Sequence, residues 1–257
     1  MTLSFKAKIQ EGAKDRNSPI VLALDLPFEN PEKKDKILSR AQGILTAVHP
    51  YVCAVKINHH LVLPLGTFNG VQQLVEQIHG HELLAIMDAK VNDIGATNQV
   101  IADYYYEAGF DALIANPFVG WEEGLKPLFE SSKRLDRGVI LLCYMSHKGA
   151  CEGYGQTIID PQTGKRKLQY VSFAQKALKW GADGVVVGAT YPQKISDIKK
   201  ILGDKVPIYS PGVGAQGGTV ETALKAGASY FIVGREITMS DDPGKAARWL
   251  CNSLKGL

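Results

Sequence analysis

Short apolar runs recur along the chain, and each is followed by a longer amphipathic stretch. Eight stand out: IVLALD (20–25), VCAVKI (52–57), LLAIMD (83–88), DALIAN (111–116), GVILLCY (138–144), DGVVVGA (183–189), VPIYS (206–210) and SYFIVG (229–234). They are continuously apolar instead of alternating, the pattern of parallel strands covered on both faces. Helical patterns lie between them. In YVSFAQKALKW, Tyr170, Phe173, Ala174, Ala177 and Leu178 fall on one helix face. EAGFD (107–111), KWGAD (179–183) and KAGAS (225–229) each place a glycine after the last helical turn, where the left-handed conformation closes a helix. Eight such units in about 250 residues predict a (β/α)₈ TIM barrel, read as a single domain over 1–257. An open doubly wound sheet is the alternative.

Composition narrows the function classes. The chain has 257 residues, 45% hydrophobic and 21% charged, with a net charge of +3. Its nearest basic cluster, GKRK at 164–167, is too short for a nucleic-acid footprint, so no nucleic-acid partner is expected. Anionic small molecules need only one or two placed cations. Cys53, Cys143, Cys151 and Cys251 form no C-x-x-C pair, and two lie in apolar runs, a usage that suits a reducing compartment. The first residues lack a signal-like apolar core, and no run approaches the roughly 20 apolar residues of a membrane span. A cytoplasmic protein without a membrane partner is expected.

In a barrel of this kind the active site forms at the C-terminal ends of the strands. There the sequence places Asp25, Lys56, Asp88 with Lys90 just beyond, Ser146, the glycine-rich SPGVGAQGG (210–218) and Arg235. Glycines let backbone N–H groups approach an anion, and an arginine fork grips phosphate bidentately. A plain turn and a surface ion pair are the bland alternatives. Asp88 and Lys90 share a face if the strand continues through them; a structural ion pair would look the same. His59 and His60 read as solvated loop histidines with no third metal ligand, and no metal site is expected. Ser146 and His147 are adjacent, and adjacent strand residues point apart, which argues against a serine nucleophile and its base. Residues 147–169 read as a long loop with a hairpin-like DPQTGK and no assigned function.

Several motifs together, LALD (22–25), VKI (55–57), DAKVNDIGAT (88–97), MSHKGA (145–150), SPGVGAQGG and IVGR (232–235), resemble the orotidine 5′-monophosphate decarboxylases over most of the chain. The resemblance implies a nucleotide substrate, no cofactor, and decarboxylation to uridine 5′-monophosphate. It implies that Lys90 protonates C6, that Asp88 lies beside the departing carboxylate, and that Asp25 and Lys56 hold ribose hydroxyls and complete the charge network. Asp93, Ile94 and Thr97 would be supplied across a homodimer interface, with Asp93 and Thr97 on the ribose; Asp93 is equally a candidate N-cap of the next helix. Ser146 would contact the pyrimidine edge. Gln216 and Arg235 would hold the phosphate, assisted by backbone near Pro211 and Gly234, with the glycine loop closing over it.

Two rivals remain at this level. Mg²⁺-dependent hexulose-phosphate synthases and keto-gulonate-phosphate decarboxylases share the D-x-K-x-x-D core but carry an acid where this chain has Lys56, a cation that would repel the metal. A silent sugar-phosphate sensor is the other, although a binder has no need of the full Asp–Lys–Asp set.

Overall fold

The order of the elements follows the alternation of the sequence. The computed structural model describes residues 3–27, 34–161, 163–214 and 216–254; Gln162 of the DPQTGK turn and Ala215 of the glycine loop lie outside them. The chain runs α1 (Phe5–Asp15), β1 (Ile20–Ala23), α2 (Lys34–Val48), β2 (Ala54–Asn58), α3 (His59–Leu65), α4 (Gln72–Gly80), β3 (Leu84–Val91) and α5 (Gly95–Glu107). It continues with β4 (Ala112–Ala115), α6 (Lys126–Arg134), β5 (Gly138–Tyr144), α7 (Ala150–Gly153), β6 (Thr157–Ile159), β7 (Arg166–Leu168) and α8 (Gln169–Trp180). Then come β8 (Gly184–Val187), α9 (Pro192–Leu202), β9 (Ile208–Pro211), α10 (Val220–Lys225), β10 (Tyr230–Val233), α11 (Arg235–Thr238) and α12 (Pro243–Leu254).

Eight parallel strands close into a barrel in the order β1-β10-β9-β8-β5-β4-β3-β2. Closure runs through β1, which pairs with β10 on one side and β2 on the other. The open-sheet alternative is thereby excluded. All eight predicted runs coincide with barrel strands, and both of their faces are indeed covered. Ile20 and Leu22 face the helices, whereas Val21 and Ala23 face the barrel interior with Ile86, Ile140, Leu142, Val186 and Ile232. Large buried side chains such as Phe110, Phe173 and Phe231 each contribute about 2–3 kcal/mol by leaving water.

Helix α8 buries the face read from its sequence, Tyr170, Phe173, Ala174 and Ala177, and ends on Gly181 in the left-handed conformation. Gly109 and Gly227 at the other two joints also have positive φ. Helix α1 precedes the first apolar run and has no counterpart among the eight predicted units. Ser4 caps it by accepting a hydrogen bond from the Ala7 N–H, and its buried Phe5 and Ile9 join the interior cluster of the barrel. Gly138 makes room for it, because a Cβ there would lie 2.5 Å from the Phe5 ring.

The stretch 147–169, read as a long loop with a hairpin-like DPQTGK, does carry a hairpin but is more ordered than a loop. It holds the short helix α7 and an antiparallel hairpin, in which Thr157 pairs with Leu168 and Ile159 with Arg166. Three β-prone residues, Thr157, Ile158 and Ile159, supply one strand. A pattern three residues long is too short to stand out in sequence. Among the described residues no helix is long and apolar enough to cross a membrane.

Candidate active site

The strand register brings the polar residues together. Ala23 of β1 pairs with Lys56 of β2, and Asn58 of β2 pairs with Asp88 of β3. Asp25, Lys56 and Asp88 therefore rise from three adjacent strands at similar heights. Lys56 Nζ lies 3.1 Å from Asp25 Oδ1 and 3.1 Å from Asp88 Oδ2, and Lys90 Nζ donates to Asp88 Oδ1 at 2.7 Å. The result is a linear chain of alternating charge, Asp25–Lys56–Asp88–Lys90. Side-chain exposure climbs at its outer end, from 5% for Lys56 and 11% for Asp88 to 39% for Lys90.

Burial and partners oppose each other along this chain. Burial alone would pull the Lys56 ammonium down, but Asp88 and then Asp25 outweigh it and hold the group above its ordinary lysine value. Burial would push the Asp88 carboxyl up, yet Lys56 and then Lys90 hold it below the usual carboxylate range. Both inner members are therefore charged at neutral pH. Either charge left without the other would be costly.

Lys90 reaches the cleft by a route that strand alternation does not describe. Met87 pairs with Leu113 and Val91 with Ala115, so four steps along β3 match two along β4. Within this bulge Lys90 has φ +50°, in the left-handed region that lysine seldom occupies. Such strain persists where surrounding structure over-determines it, and it clusters at functional sites.

These residues line a cleft of about 470 Å³ at the C-terminal mouth of the barrel, within the range of small-molecule sites. Asp25, Lys56, Asp88, Lys90, Ser146, Pro211, Gln216, Gly234 and Arg235 all border it. Ser146 lies in the bend beyond β5, not on a strand, so its separation from His147 is a matter of loop geometry. Gly212, at φ +91°, lets Ser146 and Gln216 converge, since a Cβ there would stand 2.7 Å from Gln216 Oε1 and 3.0 Å from Ser146 Cβ. Arg235 opens α11 directly after β10 and is exposed toward the cleft.

Asp93, Ile94 and Thr97 do not border this cleft. Asp93 lines a neighbouring depression that it shares with Lys90, Phe68, Ile101 and Tyr104. The N-cap reading of Asp93 is corrected: Ile94 occupies the cap position of α5, and Asp93 Oδ1 accepts from the Ile94 N–H at 2.7 Å. His59 and His60 are exposed at the start of α3, with His60 at the edge of the cleft. Among the described residues no three His, Cys, Asp or Glu side chains gather in a metal-holding set.

The apolar wall of the cleft has no signature of its own in the sequence. Ile114, Leu142, Val186 and Ile232 form it together with Met145 and Val213. The first four belong to the recognised runs, but only register tells which member of a run faces inward at the mouth. The site thus sets a charged ladder beside an apolar wall, with a glycine-rich loop and an arginine at its rim. Such a site can bind a planar, anionic ligand and stabilise charge that develops next to the ammonium.

The sequence profile of the orotidine 5′-phosphate decarboxylase / HUMPS family matches residues 18–250. An orotidine 5′-phosphate decarboxylase of Methanosarcina acetivorans is 34% identical, over 94% of this chain and 96% of its own. One of Pyrococcus abyssi is 35% identical, over 92% and 99%. Among solved structures, orotidine 5′-monophosphate decarboxylase from Methanocaldococcus jannaschii, complexed with the inhibitor BMP, superposes with TM-score 0.75 at 32% identity, covering 91% of this chain and 97% of that one. The UMP synthase of Leishmania donovani superposes with TM-score 0.86 over 99% of this chain and 56% of its own, and at 24% identity it shows the fold alone. A closed parallel barrel, a strand-end charge ladder and these relatives agree, and the chain belongs to the orotidine 5′-phosphate decarboxylase / HUMPS family, on its decarboxylase side.

Proposed function

We propose that the cleft converts orotidine 5′-monophosphate to uridine 5′-monophosphate without a cofactor, with Lys90 as the proton donor. The observation that carries this reading is the Asp25–Lys56–Asp88–Lys90 ladder, in which a partly exposed ammonium is aimed by a buried carboxylate at 2.7 Å. With the substrate carboxylate beside Asp88, the C6–carboxylate bond breaks and carbon dioxide leaves. The bonding pair stays on C6, in an orbital the ring does not delocalise. The Lys90 Nζ–H then transfers its proton to C6, and the amine regains a proton from solvent.

The protein's task in this reaction is electrostatic. Enzymes typically lower barriers by about 8–23 kcal/mol, and a fixed ammonium next to the developing carbanion acts without reorganising at the moment of reaction. Gln216 and Arg235, with backbone near Pro211 and Gly234, hold the phosphate. Binding energy from that remote group keeps the reacting end in an unfavourable environment. Asp25 and Lys56 take the ribose hydroxyls, Ser146 the pyrimidine edge, and the apolar wall keeps water from the carbanion.

The working unit in this reading is a homodimer in which Asp93, Ile94 and Thr97 of one copy complete the site of the other. Asp93 is exposed beside Lys90, and apolar Phe68, Ile94, Val100 and Tyr104 around α5 are open to solvent, as expected of a surface that meets a partner. The hexulose-phosphate alternative places a divalent metal where Lys56 stands between two carboxylates, and no observation favours it.

The test mixes the protein with orotidine 5′-monophosphate and follows pyrimidine absorbance. Turnover that a chelator leaves unchanged is expected. Lys90→Ala should lower kcat by at least about 10³-fold while uridine 5′-monophosphate still binds. Retained turnover in Lys90→Ala would remove the proposed donor.

A further inference from the structure

Asn98 is fully buried in the first turns of α5, one helix position after the residues proposed to serve the dimer. An amide without partners is expensive to bury, so its hydrogen bonds show what the position is for. Oδ1 accepts from the Asp93 N–H at 3.0 Å, and Nδ2 donates both to the Asp93 carbonyl and to the Gly124 carbonyl at 2.9 Å. One side chain thus grips both backbone groups of Asp93 and ties them to the segment after β4. The same two segments touch at Gly95, where a Cβ would stand 3.1 Å from the Glu123 carbonyl carbon and oxygen. Only a side chain with a donor and an acceptor in one plane makes this set of bonds. Serine is too short to reach both segments, and a carboxylate has no hydrogen to give.

We propose that Asn98 is a positioning residue for Asp93, holding the loop so that the Asp93 carboxylate projects outward toward the site of a second copy. This rests on the reading above that Asp93 works across the dimer. The amide does not touch substrate; it acts through the backbone of the residue that does. Its bonds already brace the loop in a single copy, so docking of the second copy meets a preorganised carboxylate.

Subunit mixing separates this role from general support of the fold. Asn98→Ala, or Asn98→Ser should Asn98→Ala not fold, is expected to lose of order 10²-fold in kcat/KM, as for a misplaced substrate-positioning group. The loss should fall mainly on kcat, with binding of uridine 5′-monophosphate to the Lys90 side retained. Mixed under subunit exchange with Lys90→Ala, the Asn98 variant should recover toward about a quarter of the wild-type rate for randomly assorted dimers. Each hybrid then has one site with Lys90 from one copy and a well-held Asp93 from the other. Asp93→Ala mixed with Lys90→Ala is the control. If the control recovers and the Asn98 mixture does not, Asn98 acts within its own subunit and the proposal fails alone. If neither recovers despite shown exchange, the cross-dimer reading fails and takes the proposal with it. Full activity in a folded Asn98 variant also overturns it.

Discussion

Lys90 meets two demands that conflict at the level of one residue. Its ammonium must lie 2.7 Å from Asp88, and to get there its backbone adopts φ +50°. For a residue with a Cβ that conformation costs about 1–2 kcal/mol, a cost glycine does not bear. Lys90→Gly and Lys90→Ala both delete the ammonium, but only the glycine variant also relieves the backbone. We expect both to be inactive and Lys90→Gly to be the more stable by about 1 kcal/mol in urea unfolding. Equal stability, or a less stable glycine variant, would mean that the strain at position 90 does not exceed the extra unfolded-chain entropy of glycine. The sequence placed Lys90 beside Asp88 correctly. It held no signal for the left-handed turn, because lysine in that conformation is decided by the bulge and not by its own preference.

Strand β3 carries Asp88 and Lys90, and with β2 it turns stability into a function of pH. The Asp88 carboxyl sits below its ordinary value of 3.8, so the unfolded chain takes up this proton before the folded one does. The stability it contributes is complete above that ordinary value and is lost as pH falls through the lower folded value. Lys56 has the opposite sign. Held above its ordinary 10.5, it contributes fully below that value and loses the contribution as pH rises through the raised one. The urea midpoint should therefore hold a plateau between about pH 5 and about pH 9 and fall on both sides. Asp88→Asn should lower the unfolding free energy on the plateau by about 3–5 kcal/mol, the range for a broken buried pair, and flatten the acid limb. An acid limb unchanged in Asp88→Asn would show that other carboxyl groups govern it.

Across the whole molecule, burial decides which reactive groups solvent can reach. Cys53, Cys143 and Cys251 are buried and Cys151 is exposed on α7. Burial pushes the Cys53 thiol up to about 12, although its own backbone and Arg16 pull it back in part, and it pushes Cys143 up as well. Only a thiolate reacts quickly. At pH 8 a thiol reagent should modify one cysteine rapidly in the native protein and four in denaturant, and mass mapping should place the native label on Cys151. Rapid native labelling of Cys53 or Cys143 would show that the barrel opens far more readily than its closed strand ring implies.

What one dimension determines here are the properties carried by neighbours in sequence. Apolar runs predicted the eight strands because both faces of each strand are covered, and glycines marked helix ends because each acts on its own turn. The polar residues could be assigned to one mouth because parallel strands all end on the same side. Tertiary structure decided everything that depends on register between distant segments: the ring's closure, the bulge that turns Lys90, the 3.1 Å contacts that link Asp25, Lys56 and Asp88, the apolar wall and the Asn98 brace. Partners tens of residues apart meet only once strand height and barrel tilt are set, and those are properties of the assembled sheet.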